Sequence, residues 1–323
     1  MNKGSDQRLF LVDVWLCIAL IFVIIGHCSV SYAPPWYHIL KKRIYSFHME
    51  SFFFISGFLM HYKCKPMENF HGYLSIISKK FMKFAIPFLI FGTLLSLVPL
   101  TQHHFSYKSL RTALNFFYRP TASYVIFLWF LYVLLEYYLI APLISRFYNS
   151  AIIIFLLAGI WLSIKTVHCD RFALYLFSRH FLYLVLGIIA AENLNILRCL
   201  PHFPVYLAAC VFLCFSWIIP KYRYPASGTF GLSFMLALSW IFAPLLRPYR
   251  AIVEHISRNC FSIYLYQMIA IQLLAKFFAF LPDPSKLFPL FLILVIPTAI
   301  IFPLTINKAL NQLSTHFFHR AIH

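Results

Sequence analysis

The chain has 323 residues, 62% hydrophobic, 20% aromatic and 11% charged, and its 27 Lys and Arg against 9 Asp and Glu give a net charge of +18. Soluble domains are roughly half apolar and a quarter charged, so this composition excludes a water-soluble globular protein. The basic residues punctuate the apolar blocks and form no single tract, which also argues against a nucleic-acid-binding arm.

Ten apolar spans are predicted in chain order: 10–31, 44–62, 81–100, 124–144, 149–165, 172–191, 203–220, 228–246, 259–281 and 287–306. Each approaches the ~20 residues needed to cross ~30 Å of hydrocarbon. Asp, Glu, Lys and Arg are absent from Val14 to Leu40, Phe84 to Tyr107, Cys199 to Pro220, Tyr224 to Leu246 and Leu287 to Asn307. The first span begins near Arg8 without a small-residue cleavage signature, so it reads as a retained span and not a signal peptide. The connections are short, no fixed-period repeat is present, and the longest loop, 101–123, cannot hold a domain. The prediction is an all-α polytopic membrane protein of about ten transmembrane helices, with 1–323 as one domain. An even number of spans puts both termini on one side. Cytoplasmic termini place Lys63, Lys65, Lys79, Lys80, Arg198, Arg247, Arg250 and Arg258 inside, but Lys41, Lys42, Arg43, Arg111, Lys221 and Arg223 outside. The positive-inside bias is therefore weak. Eight cysteines show neither zinc spacing nor a disulfide framework and read as free, buried thiols.

Ionisable groups at membrane depth are costly, so their short roster is informative. Asp13, Glu50, Glu136, Arg179 and a few histidines qualify. With a cytoplasmic amino terminus, His27 lies about a turn from the outer end of the first span and His48 about a turn into the second, at one depth. Glu50, Trp129 and Arg179 fall in the outer half and Glu136 near the middle. Asp13 lies about 21 Å below His27 at the helical rise, alongside Lys79, Lys80 and Lys83. The prediction is one polar cluster toward each face.

Each of these residues also has a structural reading. His27 fits a hydrogen-bonded structural histidine, the lysines fit snorkelling anchors, and Glu136 with Arg179 fits an ion pair locking two spans. Trp129 fits an interfacial-belt aromatic, and Cys210 with Cys214 fits packing. No P-loop, GxSxG, HExxH or GxGxxG segment occurs in its required context, and no histidine heads an HxxxD or HxxxxD box. Spacing alone leaves a membrane enzyme and a transporter or flippase of an anionic or glycolipid substrate both open.

Specific segments shift that balance. FHMESFFFISGFLM at 47–60 resembles the signature of the membrane acyltransferase-3 family, whose better-known members O-acetylate bacterial surface polysaccharides. VDVWLCIALIFVIIGH (12–27), KKFMKFAIPFLIFG (79–92), FLWFLYVLLEYYL (127–139) and SRNCFSIYLYQ (257–267) are similar to further family segments in the same order. Three positions depart from the pattern. Leu16 stands where the family usually has Arg or Lys, Glu50 replaces a proline, and Gln267 stands where many relatives have His.

The resemblance implies transfer of an acetyl group from cytoplasmic acetyl-CoA to a hydroxyl of a cell-surface glycan or its lipid-linked precursor, at the bacterial inner membrane with both termini cytoplasmic. No metal and no nucleic acid are implied. An alcohol attacking a thioester needs a positioned base, and imidazole, with an unperturbed pKa near 6.5, suits the task. His27 is the expected base. His48 would orient it or the acceptor, and Arg179 would be a further donor toward the developing oxyanion. Lys79, Lys80 and Lys83 are expected to hold coenzyme phosphates, with Asp13 on the donor side. Glu50, Trp129 and Glu136 are expected on the substrate side. The acceptor sugar and the oligomeric state stay open.

Overall fold

The structure, a computed structural model, describes residues 9–63, 70–102, 107–165, 167–193, 202–218 and 226–320. Among them every regular element is helical: α1 Phe10–His27, α2 Pro35–Ile44, α3 His48–Lys63, α4 Phe70–Gln102, α5 Tyr107–Tyr118, α6 Trp129–Arg146, α7 Tyr148–Ile164, α8 Leu174–Glu192, α9 His202–Ile218, α10 Ala226–Leu246, α11 Arg250–Arg258, α12 Cys260–Ala279 and α13 Phe288–Arg320. Short 3-10 turns join some of them.

Each predicted span coincides with a helix, but the lengths differ. Among the described residues, six helical segments are long and apolar enough to cross a membrane: Phe10–His27, Ile126–Arg146, Arg171–Glu192, Ser227–Arg258, Cys260–Ala279 and Phe288–Ala309. Phe81–Leu97 and Tyr148–Ile164 are apolar but shorter. Against the expected ten or so crossings, only these six helices among the described residues qualify on length and composition. Helices α4 and α13 reach 33 residues each, well beyond the predicted apolar blocks. Besides the short α11, which lies between the predicted spans 228–246 and 259–281, two helices fall where the sequence reading has connections. Helix α2 starts with Pro35 at its first turn and ends in Lys41, Lys42 and Arg43, matching the helix dipole. Helix α5, within the predicted 101–123 loop, is strongly amphipathic. Both were illegible as spans because their apolar residues form a stripe and not a continuous block.

The chain forms two compact units: Met1–His48, Pro201–Tyr222 and Ser227–His323 in the first, and Met49–Leu200 with Arg223–Ala226 in the second.

In the first unit α12 and α13 pair as a long hairpin, and the core gathers Leu20, Ile24, Tyr37, Ile263, Phe288 and Phe291. Within lipid, apolar surface has little reason to leave its surroundings, so close packing and polar pins decide helix association. The pins are visible. Ser257 donates to Asp13 Oδ1 at 2.6 Å, joining α11 to the first turn of α1. Tyr32 donates to the Ala275 carbonyl at 3.1 Å, and Ser285 to the Tyr32 carbonyl at 3.0 Å. The Asn307 amide donates to Asn259 Oδ1 at 3.1 Å, closing the other end of the hairpin. Helix α11 is itself amphipathic, burying Val253 and Ser257 and exposing Arg250 and Arg258.

The second unit is organised by glycines. A Cβ built on Gly57 of α3 would meet the Leu184 carbonyl oxygen of α8 at 2.2 Å, and one built on Gly187 would meet the Phe54 carbonyl oxygen at 2.0 Å. The two backbones therefore touch, which only glycine permits. In α4, Gly92 is covered by the Phe116 ring of α5, 2.0 Å from the Cβ position. Toward the outside, α7 exposes Ile153, Ile154, Leu157 and Trp161, an apolar face suited to lipid.

None of the described cysteines Cys17, Cys28, Cys169, Cys210 and Cys260 forms a disulfide, as expected. Burial holds for Cys28 alone among them, and Cys210 is exposed. A thiol on the outer stripe of an apolar helix meets lipid at no polar cost, so composition cannot tell it from a core thiol.

Candidate functional site

In the first unit the site is built at the end of α1. The last carbonyls of a helix lack intrahelical donors, and here phenols supply them. Tyr37 donates to the Ile25 carbonyl at 2.8 Å, and Tyr45 donates to the Gly26 carbonyl at 3.2 Å. Burial raises the Tyr37 phenol above its ordinary value, so it stays a protonated donor. Lys41 donates to the Ser29 hydroxyl and lies over the Tyr45 ring at 5.3 Å. These contacts fix His27 at the last position of α1.

His27 is half-buried, and its Nδ1 has no hydrogen-bond partner. Its electrostatic neighbours are His48 and Lys41. His48 is buried, with Nδ1 2.8 Å from the Ile44 carbonyl. A carbonyl only accepts, so His48 Nδ1 carries the proton and a neutral ring keeps its lone pair on Nε2. The Tyr45 ring meets the His48 ring edge-on at 4.9 Å. Just before it, Phe47 is locked over Gly231 and against Phe22 at 5.3 Å and Phe234 at 5.5 Å. The expected proximity of His27 and His48 is what the structure has, and α2 with its tyrosines is the part the sequence reading lacked.

Asp13 is buried at the opposite end of α1 and accepts from Ser257. That contact makes it a tether between α1 and α11. Lys79 and Lys80 belong to α4, but their side chains lie outside the described residues. Lys83 is exposed, with its ammonium 5.9 Å from the Phe84 ring centroid.

In the second unit Glu50, Trp129 and Arg179 gather around a residue the sequence reading passed over, His180. Glu50 Oε1 lies 3.7 Å from His180 Nδ1, both side chains being buried. The His180 ring is stacked with Trp129 at 5.6 Å and tilted against Phe53 at 4.9 Å. Glu50 Oε2 is buried without a hydrogen-bond partner. Arg179 donates to the Tyr175 hydroxyl at 2.9 Å and acts electrostatically on Glu50. The overlooked signal was a second polar residue beside Arg179 inside an apolar helix. Trp129, read as an interfacial alternative, is instead a stacking partner.

Glu136 stands apart. It lines a groove of about 250 Å³ walled by Phe81, Ala85, Phe88, Phe117, Tyr132 and Leu135, and its Oε2 has no hydrogen-bond partner. The ion pair with Arg179 that spacing allowed is not formed. The side chains point to different surroundings, because α6 turns Glu136 toward α4 while α8 turns Arg179 toward Tyr175. Among the described residues no cluster of His, Cys, Asp or Glu has metal-holding geometry.

The arrangement offers neutral imidazole at one helix end and a carboxylate–imidazole–indole group in the other unit, both within apolar helices. Such groups move protons and bind hydroxyls. No curated protein and no solved structure matches the chain. A family model described as an acyltransferase domain matches residues 12–308, nearly the whole length, in agreement with the motifs at 12–27, 47–60 and 257–267. The chain is a member of the acyltransferase-3 family of membrane acyltransferases.

Proposed function

We propose that this acyltransferase is an O-acetyltransferase, taking acetyl from cytoplasmic acetyl-CoA and delivering it to a hydroxyl of a cell-surface glycan or its lipid-linked precursor. In this reading the chain works as one domain in a bacterial inner membrane with cytoplasmic termini. The observation that carries it is His27, an imidazole at the end of an apolar helix with its Nδ1 unpartnered and His48 as its neighbour.

His27 accepts the acceptor's hydroxyl proton while the alcohol oxygen bonds to the thioester carbonyl carbon. The tetrahedral intermediate then collapses, the C–S bond breaks, and His27 returns the proton to the departing thiolate. His48, whose Nδ1 proton is committed to Ile44, offers Nε2 to orient a hydroxyl. In the second unit, Trp129 gives a flat face for a sugar ring, and Glu50 with His180 gives hydroxyl partners. Arg179, donating to Tyr175, adds a positive charge to that same cluster.

The test compares glycan O-acetyl content, by mass spectrometry or proton NMR, between cells carrying the intact chain and cells carrying His27→Ala. Loss of acetyl groups in the variant, with protein level unchanged, is the expected result. Substrate movement across the membrane without acetyl consumption would overturn the reading in favour of a transporter.

A further inference from the structure

Helices α1 and α12 run in the same direction within the first unit. The Ser257–Asp13 bond ties their starts, and the Tyr32–Ala275 bond ties their far ends. His27 lies about 21 Å beyond Asp13 at the helical rise, and Gln267 lies about 15 Å beyond Ser257. Gln267 therefore stands about one turn short of the level of His27, on the neighbouring helix.

The face that carries Gln267 is the one turned toward α1. Ile263, Ala270 and Ile271, a turn to either side of it, pack in the cluster that holds Leu20 and Ile24 of α1. His27 follows Ile24 by three residues and so shares its row on the helix surface. Tyr264, a turn before Gln267, is acted on electrostatically by Tyr45, the residue that caps Gly26 and meets the His48 ring. The buried side of α12 thus borders the site of His27 and His48.

Gln267 is fully buried, and neither its Nε2 nor its Oε1 has a hydrogen-bond partner. A carboxamide brings two N–H donors and a carbonyl acceptor, and leaving them unmet inside a protein is costly. An apolar side chain of the same length would pack there without that cost. A donor held dry and unspent suits an atom whose negative charge appears only during reaction.

We propose that Gln267 is a catalytic residue of the acyl transfer, its Nε2 donating to the thioester oxygen as that oxygen becomes negative. The proposal rests on His27 being the base of an acetyl transfer. As the acceptor oxygen bonds to the carbonyl carbon, its proton passes to His27 and the C=O π pair moves onto oxygen, where the Gln267 N–H meets it. Re-forming the C=O bond expels the thiolate, which takes the proton back from His27. Base and oxyanion donor then sit on adjacent parallel helices of one unit.

The experiment measures thiol release from acetyl-coenzyme A by membranes that hold the chain and its own acceptor, for wild type, Gln267→Met and Gln267→His, with membranes lacking the chain as the blank. Met keeps the unbranched shape without a donor, and His returns a ring N–H. Gln267→Met is expected to lower kcat about 10²–10³-fold, the usual cost of one oxyanion donor, with the KM for acetyl-coenzyme A unchanged. Its melting temperature in detergent is expected at or above that of wild type, because the unmet carboxamide is gone. Gln267→His is expected to recover part of the lost rate. Unchanged kcat in Gln267→Met overturns the assignment. So does a raised KM with kcat intact, which marks uniform binding, and so does a lowered melting temperature with no loss of rate per folded molecule, which marks a structural amide. Wild type that releases no thiol overturns the acetyl-coenzyme A reading itself, an outcome distinguishable from the others because it precedes any substitution.

Discussion

Gly57 and Gly187 lie seven residues beyond Glu50 and His180, and each glycine seats against the other helix's backbone, at Leu184 and Phe54 respectively. Helices α3 and α8 thus run parallel in backbone contact, which sets the register that brings Glu50 to His180 two turns earlier and His61 to Glu192 about a turn later. The glycine of the ISG segment is therefore part of the site although it carries no chemistry.

Gly57→Ala should destabilise by about 1–3 kcal/mol or more, as expected when a group is forced into filled space. The obstructing atom is a backbone carbonyl, which cannot rotate away. Thermal unfolding in detergent checks this, and a melting temperature equal to wild type would count against the backbone contact.

Removing the proposed base separates the histidines. His27→Ala should lower acetyl transfer by about 10²–10⁴-fold, the usual contribution of general base catalysis. His48→Gln should cost less, because its Nδ1 is spent on Ile44 and only Nε2 is offered to substrate. Turnover of an acetyl acceptor by membranes carrying each variant gives the ranking, and the reverse order would make His48 the base.

Glu50→Ala leaves the buried His180 without its acid and should cost about 3–5 kcal/mol if the pair is ionised. Glu50→Gln retains a hydrogen-bonding side chain and should fold better. Both should raise the acceptor KM more than the donor KM. Steady-state kinetics with each substrate varied in turn provides the comparison.

Asp13→Ala should lower stability by about 1–3 kcal/mol by stranding the Ser257 hydroxyl and reopening the α1–α11 junction. Asp13→Asn preserves an acceptor and should restore most of it. A structural tether predicts unchanged donor affinity in Asp13→Asn, measured by coenzyme titration. A large loss of affinity without loss of stability would return Asp13 to the donor site.

Tyr37 supplies a pH dependence. Burial raises its phenol above its ordinary value, so the folded state holds that proton more tightly than the unfolded chain. The associated stability is fully present below the unfolded pKa and is lost as pH rises above it. Unfolding measured between neutral and strongly alkaline pH should show a steeper alkaline loss in wild type than in Tyr37→Phe. The variant should also be less stable at neutral pH, because the Ile25 carbonyl loses its donor.

The sequence by itself determined the helical membrane character, the positions of the apolar blocks and the family, because hydropathy over a window and a short motif are local properties of the chain. It also picked out His27, His48, Glu50, Trp129 and Arg179, since ionisable or polar groups inside apolar helices are few. The tertiary structure decided which of them meet. Spacing along α6 and α8 allowed a Glu136–Arg179 pair, yet rotation about the helix axes sent one to an apolar groove and the other to Tyr175. His180 became the centre of its cluster only through the seating of Gly57 on Leu184 and of Gly187 on Phe54. Helix α2, whose Tyr37 and neighbouring Tyr45 cap α1, has too narrow an apolar stripe to register as a span. Partner choice depends on helix rotation and crossing, which are set by close packing between segments distant in sequence, and no window along the chain contains that information.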